Sequence, residues 1–277
     1  MRDELELSIR RARPADKRAV NEICRHIWGG NDYLPDVFDE WVRDRRGGLW
    51  LACVGGRPIG VAKLTLRGDR EAWLHALRVH PRFRRRGVGA ALIAHRLARA
   101  ETLGARIARL DTSDDNTAVR RLMRRFGFRR VTRYSTWIAP ATRGEPPRRA
   151  TLAELPALLG LRARSDGMLH EIFLRRSIDA REIARDVRAG RCVVEGVPGA
   201  PRAMASVEPD GDRLRLRYLA GGGAPLVALL RALPAAARLF RKRRVRITVA
   251  ERHWRTLHAA RYRRAWSGSM LLFEKRL

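Results

Sequence analysis

Residues 73–98, WLHALRVHPRFRRRGVGAALIAHRLA, constrain the fold more than any other stretch of the chain. Residues 73–79 alternate and carry apolar bulk, the pattern of a half-buried strand. Pro81 ends it, because proline has no N–H to give to a ladder. From Val88 onward, Leu92, Ile93 and Leu97 recur at helical spacing. Between strand and helix stand Arg84, Arg85, Arg86, Gly87, Val88, Gly89 and Ala90. The two glycines let main chain approach a ligand closely, and a helix start offers unpaired N–H groups with partial positive charge. Three arginines beside such a start make an anion site, most naturally for a pyrophosphate.

Two familiar phosphate loops do not fit. The P-loop needs a Lys after its last glycine, and Ala90 follows Gly89. The dinucleotide fingerprint needs a third glycine where Leu92 stands. The segment instead resembles the acetyl-CoA-binding signature of the GNAT superfamily of N-acyltransferases, Gln/Arg-x-x-Gly-x-Gly/Ala after a strand ending in Val-x-Pro. Arg84, Gly87 and Gly89 fill the signature, and Val79, His80 and Pro81 fill its approach. A second block follows at a compatible distance. Residues 109–112 read as a strand, and Asn116, Ala118 and Leu122 lead a helix that ends before Gly127 and Phe128. This is similar to the family's Asn-x-x-Ala-x-x-Leu/Phe-Tyr block, except that Met123 stands at the frequent tyrosine.

The resemblance extends upstream, where residues 7–12 look like the first strand and Pro14, Ala15 and Asp16 like the first helix start. Residues 50–54 and 59–66 form a hairpin around Gly55 and Gly56. The stretch 27–35, with Trp28, Asp32, Tyr33, Leu34 and Pro35, and Trp41 after it, is similar to a loop of the histidine N-acetyltransferase-like branch. That implies a small amino-acid substrate. On the residues alone, Trp28, Tyr33 and Trp41 serve equally well as packing for the first helices.

A chain of 277 residues with 45% hydrophobic content can bury two cores of ordinary size. No apolar run reaches membrane-spanning length, and residues 1–4 lack signal-peptide character, so a cytoplasmic protein without a membrane partner is expected. Cys24, Cys53 and Cys192 have neither paired nor metal-type spacing, and no metal is expected. The net charge of +30 is the anomaly; only Lys17, Lys63, Lys242 and Lys275 among 59 basic residues are lysine. Such a field steers a phosphate-bearing coenzyme and also favours nucleic acid non-specifically. A plain compositional bias towards arginine, with most side chains solvated, accounts for it too.

The element order of the first half recurs beyond a proline- and charge-rich stretch. Residues 1–140 are expected as one domain, 141–150 as a linker and 151–277 as a second domain. Helices are expected at 153–165, 178–188, 226–239 and 254–260, and strands at 191–195, 203–207, 214–219, 245–249 and 270–273. Where a pyrophosphate loop belongs, this half has Gly221, Gly222 and Gly223 without an arginine cluster. The expected fold class is α/β: two GNAT-like domains, each a mixed central sheet flanked by helices, the second lacking the coenzyme signature. An unrelated α/β second domain is the alternative.

The resemblance implies an acetyl-CoA-dependent N-acetyltransferase acting on the primary amine of a small molecule or amino acid. It also implies site roles. Leu77, Arg78 and Val79 would meet the pantetheine arm, and residues 84–90 would take the pyrophosphate. Asn116 and Met123 would lie by the coenzyme. The base is open between Asp111, five residues before Asn116, and His75, placed by the period of two on the face of Leu77 and Val79. Glu71 and Asp69 are weaker candidates. Met123 cannot donate a proton; either the thiolate, with a pKa of about 8.5, leaves unassisted, or Tyr33 or Tyr134 protonates it. Two other readings compete: a protein or peptide N-acetyltransferase, and a non-catalytic coenzyme sensor whose arginine surface binds nucleic acid.

Overall fold

The computed structural model describes residues 6–67, 70–162, 168–171 and 174–277. Asp69 and the end of the helix expected at 153–165 lie outside the described residues. Contacts divide the chain into two compact units. One comprises Met1–Thr112, Asn116–Val131 and Leu272–Leu277; the other Ser113–Asp115 and Thr132–Leu271.

The first unit runs β1 (Ser8–Arg11), α1 (Lys17–Cys24), α2 (Leu34–Arg43), β2 (Gly48–Val54), β3 (Arg57–Arg67), β4 (Glu71–Val79), α3 (Val88–Thr102), β5 (Ile107–Ser113) and α4 (Thr117–Arg125), and holds the start of β6 (Arg129–Pro140). Strands β1 to β4 pair antiparallel in sequence order, and β4 pairs β5 in parallel. Alternation along β2 decides what each face covers. Leu49, Leu51 and Cys53 pack with Val20, Ile23 and Phe38 of α1 and α2. Trp50, Ala52 and Val54 pack with Val88 and Leu92 of α3. Each fully buried Leu here stabilises by about 1.5–3 kcal/mol over its exposed state.

The second unit holds most of β6, then β7 (Arg148–Arg149), α5 (Leu155–Arg162), β8 (Met168–Glu171), β9 (Leu174–Ser177), α6 (Ala180–Arg188), β10 (Cys192–Glu195), β11 (Ala203–Asp210), β12 (Arg213–Gly221), α7 (Gly223–Leu239), β13 (Arg244–Ala250), α8 (Trp254–Ala259), β14 (Arg263–Arg264) and the start of β15 (Met270–Arg276). Its sheet order is β7-β10-β11-β12-β13-β6, with β12 and β13 parallel and β8-β9 a separate hairpin. Leu226, Leu229, Leu230 and Leu233 of α7 pack on Leu214, Leu216 and Leu219 of β12. Leu158 of α5 and Ile183 of α6 pack on Met204, Tyr218 and Ala220. Both units are therefore mixed sheets flanked by helices, as expected.

The units divide the chain differently from the ranges 1–140 and 151–277. Residues 134–140 of β6 pair along β13 and so belong to the second unit. The chain end returns to the first: Glu274 pairs Arg109 and Arg129, the Lys275 ammonium donates to the Phe126 carbonyl, and Leu277 N–H donates to the Arg106 carbonyl. Nor is 141–150 a free linker. Ala141 and Thr142 N–H groups donate to Arg243 and Pro234 carbonyls, and Arg148 and Arg149 pair with β10. Among the described residues no helix is long and apolar enough to cross a membrane.

Candidate active site

The ladder between β4 and β5 ends at Trp73 and Arg109, so residues 74–79 diverge from their parallel neighbour and leave a slot. The cause is a bulge. Lys63 pairs His75 and Val61 pairs Arg78, so one residue of β3 faces two of β4, and Ala76 adopts a left-handed φ of 54°. The bulge reverses the alternation. Leu77 and Val79 face the α3 side, where their side chains lie near Gly89, whereas His75 faces Trp41 of α2 at a ring separation of 4.8 Å. The expectation that His75 shares a face with Leu77 and Val79 is thus overturned; a strict period of two does not survive an inserted residue.

Sequence reading also missed what holds the bulge open. Arg96 of α3, 1% exposed, donates from Nη1 to the carbonyls of Lys63 at 3.0 Å and His75 at 3.2 Å. A buried carbonyl without a partner is costly, and Arg96 supplies it. Its signal in the sequence was an arginine set inside the apolar stripe of Leu92, Ile93 and Leu97.

Past Val79 the chain makes one tight turn, Pro81–Phe83, and enters the arginine-glycine loop. Arg84 Nε donates to the Val79 carbonyl at 3.2 Å and ties the loop to the strand end. Arg85 (φ 60°) and Gly87 (φ 82°) are left-handed with Arg86 between them, a handedness alternation that turns successive N–H groups inward on an anion. Gly87 precedes α3, and a Cβ there would meet no atom within 4 Å, so its glycine answers to backbone conformation and not to crowding. Val88 is buried and seats the helix, while Arg84, Arg85 and Arg86 are exposed with no acidic partner among the described residues. These residues suit a pyrophosphate: free N–H groups, a helix start and unneutralised guanidinium groups meet at one loop.

On the α2 side of β4 the loop 27–33 carries a compact aromatic and ionic group. Arg78 forms a two-point ion pair with Asp32, Nε to Oδ2 at 2.7 Å and Nη2 to Oδ1 at 3.1 Å. The Arg78 guanidinium also lies over the Trp28 ring at 4.7 Å and the Tyr33 ring at 5.7 Å. Tyr33 stacks with Trp28 at 6.2 Å and meets Trp41 edge-on at 6.0 Å. The Arg78 side chain is therefore committed to Asp32, leaving its main chain for any ligand along β4. Burial pushes the Tyr33 phenol up to about 12, with Arg78 opposing and Asp32 and Asp111 adding. Asp111 of β5 thus lies within electrostatic reach of Tyr33.

His75 hydrogen-bonds through Nε2 with the Thr65 hydroxyl at 2.8 Å, and its buried Nδ1 has no partner among the described residues. Burial first, then the charges of Lys63, Arg96, Arg67 and Arg78, hold its pKa well below the ordinary value. The remaining candidates are dispersed. Asn116 caps α4, its Oδ1 accepting from Val119 N–H at 3.2 Å. Met123 is fully buried in the core, Glu71 is paired with Arg109 at 2.8 Å, and Tyr134 is fully buried in the second unit.

The second unit repeats the backbone without the chemistry. Its ladder β12-β13 ends at Arg215 and Arg246, and a register shift between Ser206 and Val207 inserts Arg217. Here the inserted residue is locked to acids: Arg217 Nη2 donates to Glu182 at 2.5 Å, Nη1 bonds Asp186, and Arg191 and Ser206 complete the shell of Asp186. A buried ion cluster against α6 fills the face that in the first unit carries Tyr33 and His75. Gly221 is needed for packing, since a Cβ would stand 2.8 Å from Ala203 and the Arg202 carbonyl.

Residues 17–128 match the acetyltransferase (GNAT) family. The chain is 27% identical over 135 residues to an aminoglycoside N(6')-acetyltransferase type 1 of Stenotrophomonas maltophilia, covering 46% of this chain and 88% of that protein. It is 31% identical over 106 residues to a histidine N-acetyltransferase of Xenopus tropicalis, covering 37% of this chain and 32% of that protein. The match thus spans only about a third of that second relative's length. In fold, the chain is similar to a tandem GNAT protein of the clavulanic acid biosynthesis pathway, with a TM-score of 0.54, 16% identity and 98% of both chains covered. Residues 17–128, which carry the slot and the loop, are thus a stretch of acetyltransferase (GNAT) type, the family of acyltransferases whose model they match.

Proposed function

We propose that the first unit transfers the acetyl group of acetyl-CoA to the primary amine of a small molecule, an amino acid foremost, and that the second unit does not bind coenzyme. The divergence of β4 from β5 after Trp73, ending in the arginine-glycine loop, carries this reading. In it the N–H groups and guanidinium groups of residues 84–90 hold the pyrophosphate. The main chain of Leu77, Arg78 and Val79, left without a β5 ladder, binds the pantetheine arm, and Asn116 stands beside it. Coenzyme A supplies an activated thioester; the chain positions the amine, receives its proton and returns one to the thiolate.

The acceptor enters from the α2 side, where Trp28, Tyr33 and Trp41 offer ring faces and Asp111 a carboxylate. Aromatic faces attract an ammonium group. Tyr33, protonated to high pH by burial, is the proton donor in place of the family tyrosine replaced by Met123. Asp111 is the proton acceptor. The names of the two relatives, one acting on aminoglycosides and one on histidine, support a small amine over a peptide.

Thiol release with acetyl-CoA tests this against free amino acids, aminoglycosides, polyamines and peptides. Activity on at least one small amine and none on peptides is expected. Turnover of peptides alone would replace the reading with a protein acetyltransferase. Coenzyme binding without turnover of any amine would leave a sensor.

A further inference from the structure

Outside the slot, the first unit has a second concentration of positive charge. Arg18, Arg25 and His26 at α1, Arg57 at the start of β3, and His80 and Arg82 after β4 line one cavity of about 720 Å3. Glu22 also lines it, but that carboxylate is bound to Arg25 at 2.7 Å. Arg18, Arg57 and Arg82 have no acidic partner among the described residues. Cations converging on a concave wall raise the potential inside it well above that of the same charges spread over a convex surface. His80 registers the field: burial, then Arg82, Arg57 and His26, lower its pKa against the opposing pull of Glu22.

The walls are not all charged. Ile23, Ile59 and Phe83 also line the cavity, and the Phe83 ring meets His80 edge-on at 5.9 Å. A volume of this size falls in the range of small-molecule sites. An apolar, partly aromatic floor under unneutralised guanidinium groups suits a molecule with a flat body and more than one negative charge. Arginine pairs with phosphate oxygens through two parallel bonds, which makes phosphate the favoured anion. The cavity's wall on α1 packs on the face opposite α3, and its floor at Ile59 and Phe83 borders the α3 side where Leu77, Val79 and Gly89 of the coenzyme slot gather, while residues 84–90 do not line it.

We propose that this cavity is a second anion site, separate from the arginine-glycine loop, that binds a free phosphorylated molecule of nucleotide size, its phosphates on Arg18, Arg57 and Arg82 and its ring over Phe83. The same chemistry is present in the phosphorylated adenosine end of coenzyme A, so the test separates the two sources.

Adenosine diphosphate is titrated calorimetrically into the full chain at low salt, alone and with saturating coenzyme A. The same titrations are run on an R18E/R57E variant and on Gly87→Val. Arg18 and Arg57 are exposed, so their substitution leaves the core intact. About one equivalent of adenosine diphosphate is expected on the coenzyme-saturated wild type and on Gly87→Val, with affinity at least about tenfold lower in R18E/R57E. Loss of this binding under coenzyme A would assign the cavity to the coenzyme's own end and overturn a separate site. Unchanged affinity in R18E/R57E, or no binding at all, would overturn the cavity as a site. Failure of the acyl-transfer reading shows separately, as absent coenzyme A binding, while the Gly87→Val arm still reports on the cavity.

Discussion

Two residues of the α2 side, His75 and Tyr33, are set apart by their surroundings. The folded protein refuses a proton at His75 that the unfolded chain accepts near pH 6.5, so stability is complete above that pH and declines as pH falls below it. Urea midpoints should therefore drop further between pH 7 and pH 5 in wild type than in His75→Gln. The same depression means that His75 contributes no inflection to the rate between pH 6 and 8; a rising limb there belongs to the amine. Tyr33 behaves in the opposite sense, keeping its proton until about pH 12. Tyr33→Phe should lower kcat by about 10²-fold while leaving the KM for acetyl-CoA near wild type, as loss of a general acid does. A shift in that KM with unchanged kcat would make Tyr33 a packing residue. Asp32 and Arg78 carry a structural load between them. Leaving either one buried and alone should cost about 3–5 kcal/mol, so Asp32→Ala is expected to destabilise strongly in urea.

At the level of elements, β4 and the loop after it make the site, and their requirements differ. Gly87 is held at φ 82° in open space, whereas a Cβ at Gly89 would make ordinary contacts with Leu122, Leu77 and Val79. Gly87→Ala should cost about 1–2 kcal/mol of stability and weaken coenzyme binding, and Gly89→Ala should do neither to a comparable degree, as paired denaturation and calorimetry would show. Arg96→Leu leaves the carbonyls of Lys63 and His75 without their donor and should cost about 2–4 kcal/mol, with the slot lost along with the bulge. The strand, the loop and α3 could be read from residues 73–98 because apolar period, proline and glycine each act locally. The bulge could not. It depends on a side chain 20 residues away in sequence from Ala76, brought there by the packing of α3.

Across the whole molecule, the two halves share a plan while the chain end completes the first. Leu272 and Phe273 are buried and Glu274 holds Arg109 and Arg129, all within the first unit. Deleting residues 272–277 should cost at least about 4 kcal/mol through the lost apolar burial and ion pairs, and a fragment ending at residue 140 should be correspondingly unstable in urea. Adding a peptide of residues 268–277 should restore part of that stability. Equal stability of fragment and full chain would refute the role of the last strand. The anion loop, its absence from the second half and most of the element order were legible along the chain, because hydrophobic period, turn residues and charge clusters are properties of contiguous segments; β6 and the β8-β9 hairpin were not. Which face His75 takes, what Arg78 and Arg96 do, and the place of residues 272–277 in the first unit came from packing between distant segments. Each of those rests on partners brought together across tens to more than a hundred residues, where a single inserted residue or a returning strand reassigns every neighbour.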